Sequence, residues 1–260
     1  MKNISGKNIS IIMPAYNEEG HIISSLEETM KTFDNFKCDY EIIVVDNGSK
    51  DNTYLAAQEF AKKYSDRRII VKRDRVNYGK GRALTKGFRY AQGDYIIFID
   101  ADMDLHPGQI DAFFDIMQLT ESDVVIGSKR HPNSQLFNYP WGRRIMSSVY
   151  FFLVKLIFGL PINDTQTGLK LFKYEVLQKV FQEFVCREFA FDLELLVNIH
   201  RLGYKIEEAP VSIKSQREYN RIGLGIVIKM CIDTGAIYYR CLVNKMKQRR
   251  SKSLSVKGKK

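Results

Sequence analysis

The chain has 260 residues, 45% of them hydrophobic, and a formal net charge of +10. Such a length and apolar share suit one α/β domain with a small appendage and exclude a wholly disordered chain. Eight Lys or Arg and no Asp or Glu lie between Lys245 and Lys260, so most of the charge is a solvated tail drawn to an anionic membrane surface, and nucleic acid is not expected as a partner. In chain order, "NISIIMP", "YEIIVVD", "RRIIVKR", "DYIIFID" and "SDVVIGS" are short Ile- and Val-rich runs separated by amphipathic stretches. This alternation predicts βαβ units and a mostly parallel central sheet flanked by helices, with ligands bound outside the carboxyl ends of the strands. Four runs end in polar or turn-forming clusters, "PAYNEEG", "DNGSKDNT", "DADMDLHP" and "GSKRHPNS", which are expected to converge on one rim.

The second half changes character near Pro140. Residues 145–160 are apolar almost all round, with Lys155 the only charge, yet too short for the roughly 20 residues of a membrane span. Residues 222–242 are long enough but carry Lys229, Asp233 and Arg240, which fall on one stripe of a helix. The broad apolar face left over fits an amphipathic helix on a membrane surface, the domain itself, or a second copy in a homo-oligomer. Cys38, Cys186, Cys231 and Cys241 form no C-x-x-C pair and point to neither zinc nor a disulfide framework. "MKNISGKNISIIMP" has no apolar run of signal-peptide length, so a cytoplasmic setting with peripheral membrane attachment is expected.

"PAYNEEG" places Pro14 at a strand end, followed by candidates to grip a nucleoside, Tyr16 and Glu18. Asn17 as a helix cap is the plainer alternative. Asp46 in "VVDNGSKDNT" leaves a strand where a carboxylate can accept from a ribose or base; a turn followed by Asp51 or Asn52 as a cap is the alternative. "NYGKGRALTKG" matches neither a dinucleotide fingerprint nor a Walker motif and reads as a turn feeding a helix near phosphates. The strongest signal is "IDADMDLHP". Asp100, Asp102 and Asp104 alternate where a buried run ends, and carboxylates so close need a cation such as Mg²⁺ or Mn²⁺, or a substrate that brings one. A helix start preceded by acids is the competing explanation. Lys129, Arg130 and His131, with Arg143 and Arg144 in "WGRR", supply the opposite charge and are candidates to clamp an acceptor phosphate.

"PAYNEE", "VVDNGSKDNT", "IDADMD", "GSKRH" and "DTQTGLKLF" stand in the order seen in family 2 glycosyltransferases with the GT-A nucleotide-sugar-binding fold. The chain resembles their polyprenyl-phosphate sugar synthases over roughly residues 8–213, and "DTQTGLKLF" with "EFAFDLELL" is more similar to the dolichyl-phosphate glucose branch than to the mannose branch. The resemblance implies that Pro14, Tyr16, Glu18, Asp46, Asn47, Asp100 and Ala101 line the nucleotide pocket. It implies that Asp100, Asp102 and Asp104 surround Mg²⁺ or Mn²⁺, Asp104 standing where mannose synthases commonly have Gln. The acceptor phosphate falls to Lys129 or Arg130 and to Arg143 or Arg144; the family's "GSR" is "GSK" here, which passes the bidentate role to Arg130. Arg217 and Arg221 lie near, though out of register with, the basic residues the family places by the donor phosphates.

The expected reaction is inverting transfer of a hexose, from UDP-glucose first and GDP-mannose next, to a polyprenyl or dolichyl phosphate. Asp102, Arg130 and Arg143 are the groups expected to act in it. An acceptor phosphate is already anionic and needs no strong base. If the acceptor is a sugar hydroxyl instead, a base is required and Asp192 is the candidate. A nucleotide-binding membrane scaffold without turnover is the third reading. The expected organisation is a glycosyltransferase domain over residues 1–213, an amphipathic helical region over 214–248 and a basic tail over 249–260.

Overall fold

In a computed structural model of the chain, residues 4–137, 151–152, 154–182, 191–214, 232 and 234–240 are described. Five strands match the five apolar runs: β1 (Asn8–Ala15), β2 (Asp39–Asp46), β3 (Ile69–Arg73), β4 (Tyr95–Phe98) and β5 (Val124–Ser128). Helices α1 (Ile22–Phe36), α2 (Thr53–Lys63), α3 (Lys80–Phe88) and α4 (Ile110–Thr120) intervene, α4 being entered through a 3₁₀ turn at Pro107–Gln109. The chain continues through β6 (Gln135–Phe137), β7 (Lys170–Lys173), α5 (Tyr174–Val180), α6 (Phe191–Arg201), β8 (Ile206–Pro210) and β9 (Ser212–Lys214).

Seven strands form one sheet in the order β3-β2-β1-β4-β7-β5-β8, and β6 pairs with β9 in a two-stranded sheet. All neighbours in the large sheet run parallel except β7, which is antiparallel to both β4 and β5. That single reversal brings Lys170 beside Phe98, so the segment leading into β7 reaches the same rim as the end of β4.

The uninterrupted apolar runs have a direct explanation. Successive side chains of a strand point to opposite faces, and both faces of this sheet are covered. Ile9, Ile11, Met13, Ile42, Val44, Ile97, Val125 and Leu171 pack in one core with residues of α1, α2 and α4. Their neighbours Ile12, Ile43, Val45, Ile96, Phe98, Val124, Ile126 and Phe172 pack in the other with residues of α3, α5 and α6. Helix α1 meets its core through Ile22, Leu26, Met30 and Phe33, a helical spacing, and ends at Lys37 in the left-handed conformation with φ 53°. On the opposite face α3 lies so close to α6 that a Cβ on Gly81 would stand 2.2 Å from the Phe191 ring.

Segments 151–158 and 232–240 contain helical residues and share the second core through Val154 and Ile237. The ring of Phe158 meets that of Tyr238 edge-on at 6.3 Å. Arg240, one of the three charges of the stripe read from the sequence, is partly buried, its guanidinium 3.1 Å from Glu194 Oε1 of α6; Lys229 and Asp233 lie outside the described residues. The outward side carries apolar groups: Phe152 (69% exposed), Leu156 (77%), Ile232 (65%) and Tyr239 (67%). Among the described residues no helix is long and apolar enough to cross a membrane. Cys38 is a free thiol whose pKa burial pushes up to about 11. The other three cysteines, Arg143, Arg144, Arg217, Arg221 and the tail from Lys245 to Lys260 lie outside the described residues.

Candidate active site

A cleft of about 590 Å³ opens at the carboxyl ends of β1, β2 and β4. Pro14, Ala15, Tyr16 and Glu18 form one wall, and Asp100, Ala101 and Asp102 form the floor after β4. Asn47, Asn77, Gly79 and Lys80 close another side, while Gln166, Phe191 and Asp192 arrive from the segment before β7 and from α6. Three of the four polar clusters therefore converge as expected. The fourth, after β5, does not contribute a lining residue.

The loop after β1 is held by its neighbour after β2. Asn17, at φ 54°, is not a helix cap: its N–H donates to Ser49 Oγ at 2.9 Å, and its Oδ1 accepts from Lys50 N at 2.9 Å. The Glu18 N–H donates to Thr53 Oγ1 at 2.7 Å, and its carboxylate meets His21 Nδ1 at 3.3 Å. Asp51 accepts from the Thr53 hydroxyl and N–H and from the Glu19 N–H. Burial works to raise its pKa, but those donors outweigh it and hold the carboxyl below the usual range.

Asp46 departs from the expected nucleotide contact. It is completely buried, accepts from Ser49 N at 3.1 Å and lies 3.0 Å from Arg73 Nε, outside the lining of the cleft. A carboxylate at a buried strand end finds its compensation inside the protein when an arginine from the next parallel strand can reach it. The following residue, Asn47, takes its place at the wall.

Of the three aspartates, Asp100 and Asp102 line the cleft and Asp104 does not. Asp104 N donates to Asp102 Oδ1 at 3.2 Å, a local turn that carries the chain away, and Asp104 O accepts from Lys214 N of β9. Among the described residues no three His, Cys, Asp or Glu side chains gather as a metal-holding group; of the expected triad, Asp100 and Asp102 share the cleft. The pair still fits: two hard carboxylates suit Mg²⁺ or Mn²⁺ when substrate phosphates complete the shell. Lys80 Nζ reaches both oxygens of Asp100, at 2.6 and 2.8 Å. Burial disfavours its charge, yet Asp100, Asp192 and Asp102 outweigh that cost and raise its pKa above the ordinary lysine value. Gly168 packs on the other side, where a Cβ would lie 2.1 Å from Asp100 Oδ2.

Asp192 opens α6 and faces the cleft, buried, with Oδ1 accepting from Lys170 Nζ at 2.7 Å. Lys170 is only 1% exposed and also donates to Thr167 O at 2.5 Å. Lys129 is drawn to Asp164, with its N–H 3.0 Å and its ammonium 3.7 Å from Oδ2. Burial would raise the Asp164 pKa, but Lys129, the N–H groups of Gln166 and Lys129, and the Thr167 hydroxyl hold it below the usual range. The Arg130 guanidinium lies 4.8 Å over the Phe151 ring. Neither basic residue lines the cleft. Asn77, Gln166 and Lys170 are not among the site residues expected from the sequence, although Asn77 lies in "NYGKGRALTKG" and the other two in "DTQTGLKLF".

The sequence profile of Glycosyl transferase family 2 matches residues 10–181. The chain belongs to this family. It is therefore a glycosyltransferase. A dolichyl-phosphate beta-glucosyltransferase of Trichomonas vaginalis is 32% identical over 93% of this chain and 77% of its own length. A protein of the same description from Dictyostelium discoideum is 30% identical over 78% of this chain and 65% of its own. Among solved structures, glucosyl-3-phosphoglycerate synthase of Mycobacterium tuberculosis with Mn²⁺, UDP-glucose and phosphoglyceric acid superposes with a TM-score of 0.65. It is 22% identical and covers 91% of this chain and 80% of its own. At that identity the likeness shows the fold, which is the GT-A fold.

Proposed function

We propose that this glycosyltransferase moves glucose from UDP-glucose to the phosphate of a polyprenol or dolichol, with inversion and with the help of a divalent cation. The observation that carries the reading is the joint one: 32% identity to a dolichyl-phosphate beta-glucosyltransferase across 93% of the chain, and a cleft whose floor presents two carboxylates and a lysine ammonium. Asp100 and Asp102 would hold Mg²⁺ or Mn²⁺, which when bound supplies positive charge to offset that developing on the departing diphosphate. Lys80 adds a fixed cation at the same wall and stabilises the same charge. Tyr16 offers a ring face and Glu18 a carboxylate to the nucleoside.

The acceptor phosphate needs no base, so the protein's task there is positioning. Arg130, held against Phe151, has the planar fork suited to a phosphate, with Lys129, Arg143 and Arg144 as further candidates. Arg217 and Arg221 remain candidates for the donor phosphates. The exposed Phe152, Leu156, Ile232 and Tyr239 support contact with a polyprenyl chain or the membrane that contains it, beside a basic tail. We place the transferase domain at residues 1–213, the helical membrane-surface region at 214–248 and the tail at 249–260, on the cytoplasmic side.

The test is release of UDP from UDP-glucose with a short-chain polyprenyl phosphate and Mn²⁺, compared with GDP-mannose, and with chelator. Metal-dependent release with UDP-glucose alone supports the proposal; absence of release with both donors rejects it. Because Asp192 faces the cleft, transfer to a sugar hydroxyl is the second reading. Asp192→Asn abolishes activity if Asp192 is a base, and leaves substantial activity if the acceptor is a phosphate.

A further inference from the structure

Resting on the reading of this cleft as a nucleotide-sugar site, we infer that Asn77 reads the nucleobase. Its amide nitrogen donates to the keto oxygen on the base edge farthest from the ribose, so the site takes uracil over cytosine. The inference follows from the direction of one hydrogen-bond chain. The backbone N–H of Tyr78 can only donate, and it donates to Asn47 Oδ1 at 3.0 Å. Asn47 is thereby fixed with its nitrogen on the other side, where Nδ2 donates to Asn77 Oδ1 at 2.7 Å. The N–H of Gly79, again only a donor, reaches the same oxygen at 2.9 Å. Turning the Asn77 amide over would set its NH₂ against two N–H groups.

The amide that could otherwise present either end to a ligand is thus locked in one sense. Asn47 is buried and Asn77 exposed, and both line the cleft. The oxygen of Asn77 is turned to Asn47 and Gly79; what remains for the cleft is an NH₂ group, which donates and cannot accept. Uracil carries an acceptor, O4, where cytosine carries an amino donor, so the two bases meet Asn77 with opposite sign. By the same rule a guanine, with O6, is compatible and an adenine, with N6, is opposed. A donor facing a donor forgoes the hydrogen bond that a donor facing O4 makes.

Asn77→Asp tests this with little disturbance, because one carboxylate oxygen keeps both accepted bonds while the other puts an acceptor where the nitrogen was. Dissociation constants for UDP and CDP are measured calorimetrically with Mn²⁺ on the full chain. The wild type is expected to favour UDP, and Asn77→Asp to move the ratio toward CDP by about tenfold or more. The added negative charge weakens both diphosphates alike and cancels in that ratio. Asn77→Ala, which offers neither donor nor acceptor, is expected to bring the two nucleotides closer together. A UDP-to-CDP ratio unchanged in both variants overturns the inference. Failure of the wild type to bind either nucleotide overturns the nucleotide-sugar reading itself, and so is told apart from failure of the Asn77 assignment.

Discussion

At the end of the cleft built by β1, β2 and β4, Glu18, Asn47 and Asn77 are fixed by hydrogen bonds that run back to the main chain or to a neighbouring loop. Outside the lining of the cleft, after β5, the basic residues expected to face a ligand have partners of their own: Lys129 has Asp164 and Arg130 the ring of Phe151. The cations that reach the cleft wall or support it, Lys80 and Lys170, start α3 and β7 instead. The difference teaches that the proposed donor end is preorganised by hydrogen bonds from main-chain N–H groups, whereas the basic residues proposed for the acceptor phosphate are held by an ion pair and a ring contact. Preorganisation of the first kind costs nothing further when the ligand binds.

The largest effect expected is at the donor end. Asp102→Asn is expected to lower turnover about 10³-fold at saturating Mn²⁺, read as UDP release; retention of more than a tenth of the activity breaks the assignment of the carboxylate pair. Next is Lys170→Ala, which removes the cation hydrogen-bonded to buried Asp192 and is expected to destabilise the fold by about 3–5 kcal/mol, measured by urea denaturation. A loss below about 1 kcal/mol would mean that Lys80 or solvent, not Lys170, compensates Asp192.

Gly168→Ala forces a methyl against Asp100 Oδ2. It is expected to cost about 1–3 kcal/mol and to weaken Mn²⁺ binding by the protein with UDP, followed by titration calorimetry. At the acceptor end, Arg130→Ala is expected to raise the KM for polyprenyl phosphate by about tenfold, and Lys129→Ala by less because Lys129 already serves Asp164. Equal effects in steady-state kinetics would erase that distinction.

The smallest effect is on pH dependence. Asp164 has a pKa lowered on folding, so the folded state binds its proton less readily than the unfolded state. Its contribution is present above the unfolded value of about 3.9 and is lost as the pH falls through the lower folded value. Urea midpoints between pH 7 and pH 3 are expected to fall less steeply in Asp164→Asn than in the wild type.

What the sequence by itself determined were the five strands that its apolar runs mark and the loops that gather at their carboxyl ends. Those features are local: a run of Ile and Val buried on both faces identifies a covered strand, and the polar cluster after it has only the rim to occupy. Strands β7 and β8 were less legible, because the first has four residues with a lysine at each end and two glutamates interrupt the second. One of these, Glu208, accepts from the N–H groups of Asn163 and Asp164 and braces the segment that approaches Asp100.

Only the tertiary structure decided which charges meet. Asp46 and Asp100 each end or follow a strand as an acid after Ile or Val, yet Arg73 removes the first into the interior while Lys80 meets the second at the cleft wall. Asp104, two residues beyond Asp102, is carried off by a turn. Pairing of this kind depends on strand order and on the one reversed strand, β7. Its physical cause is that a buried charge takes whichever opposite charge the fold brings within reach, and that reach is not written in the spacing of residues along the chain.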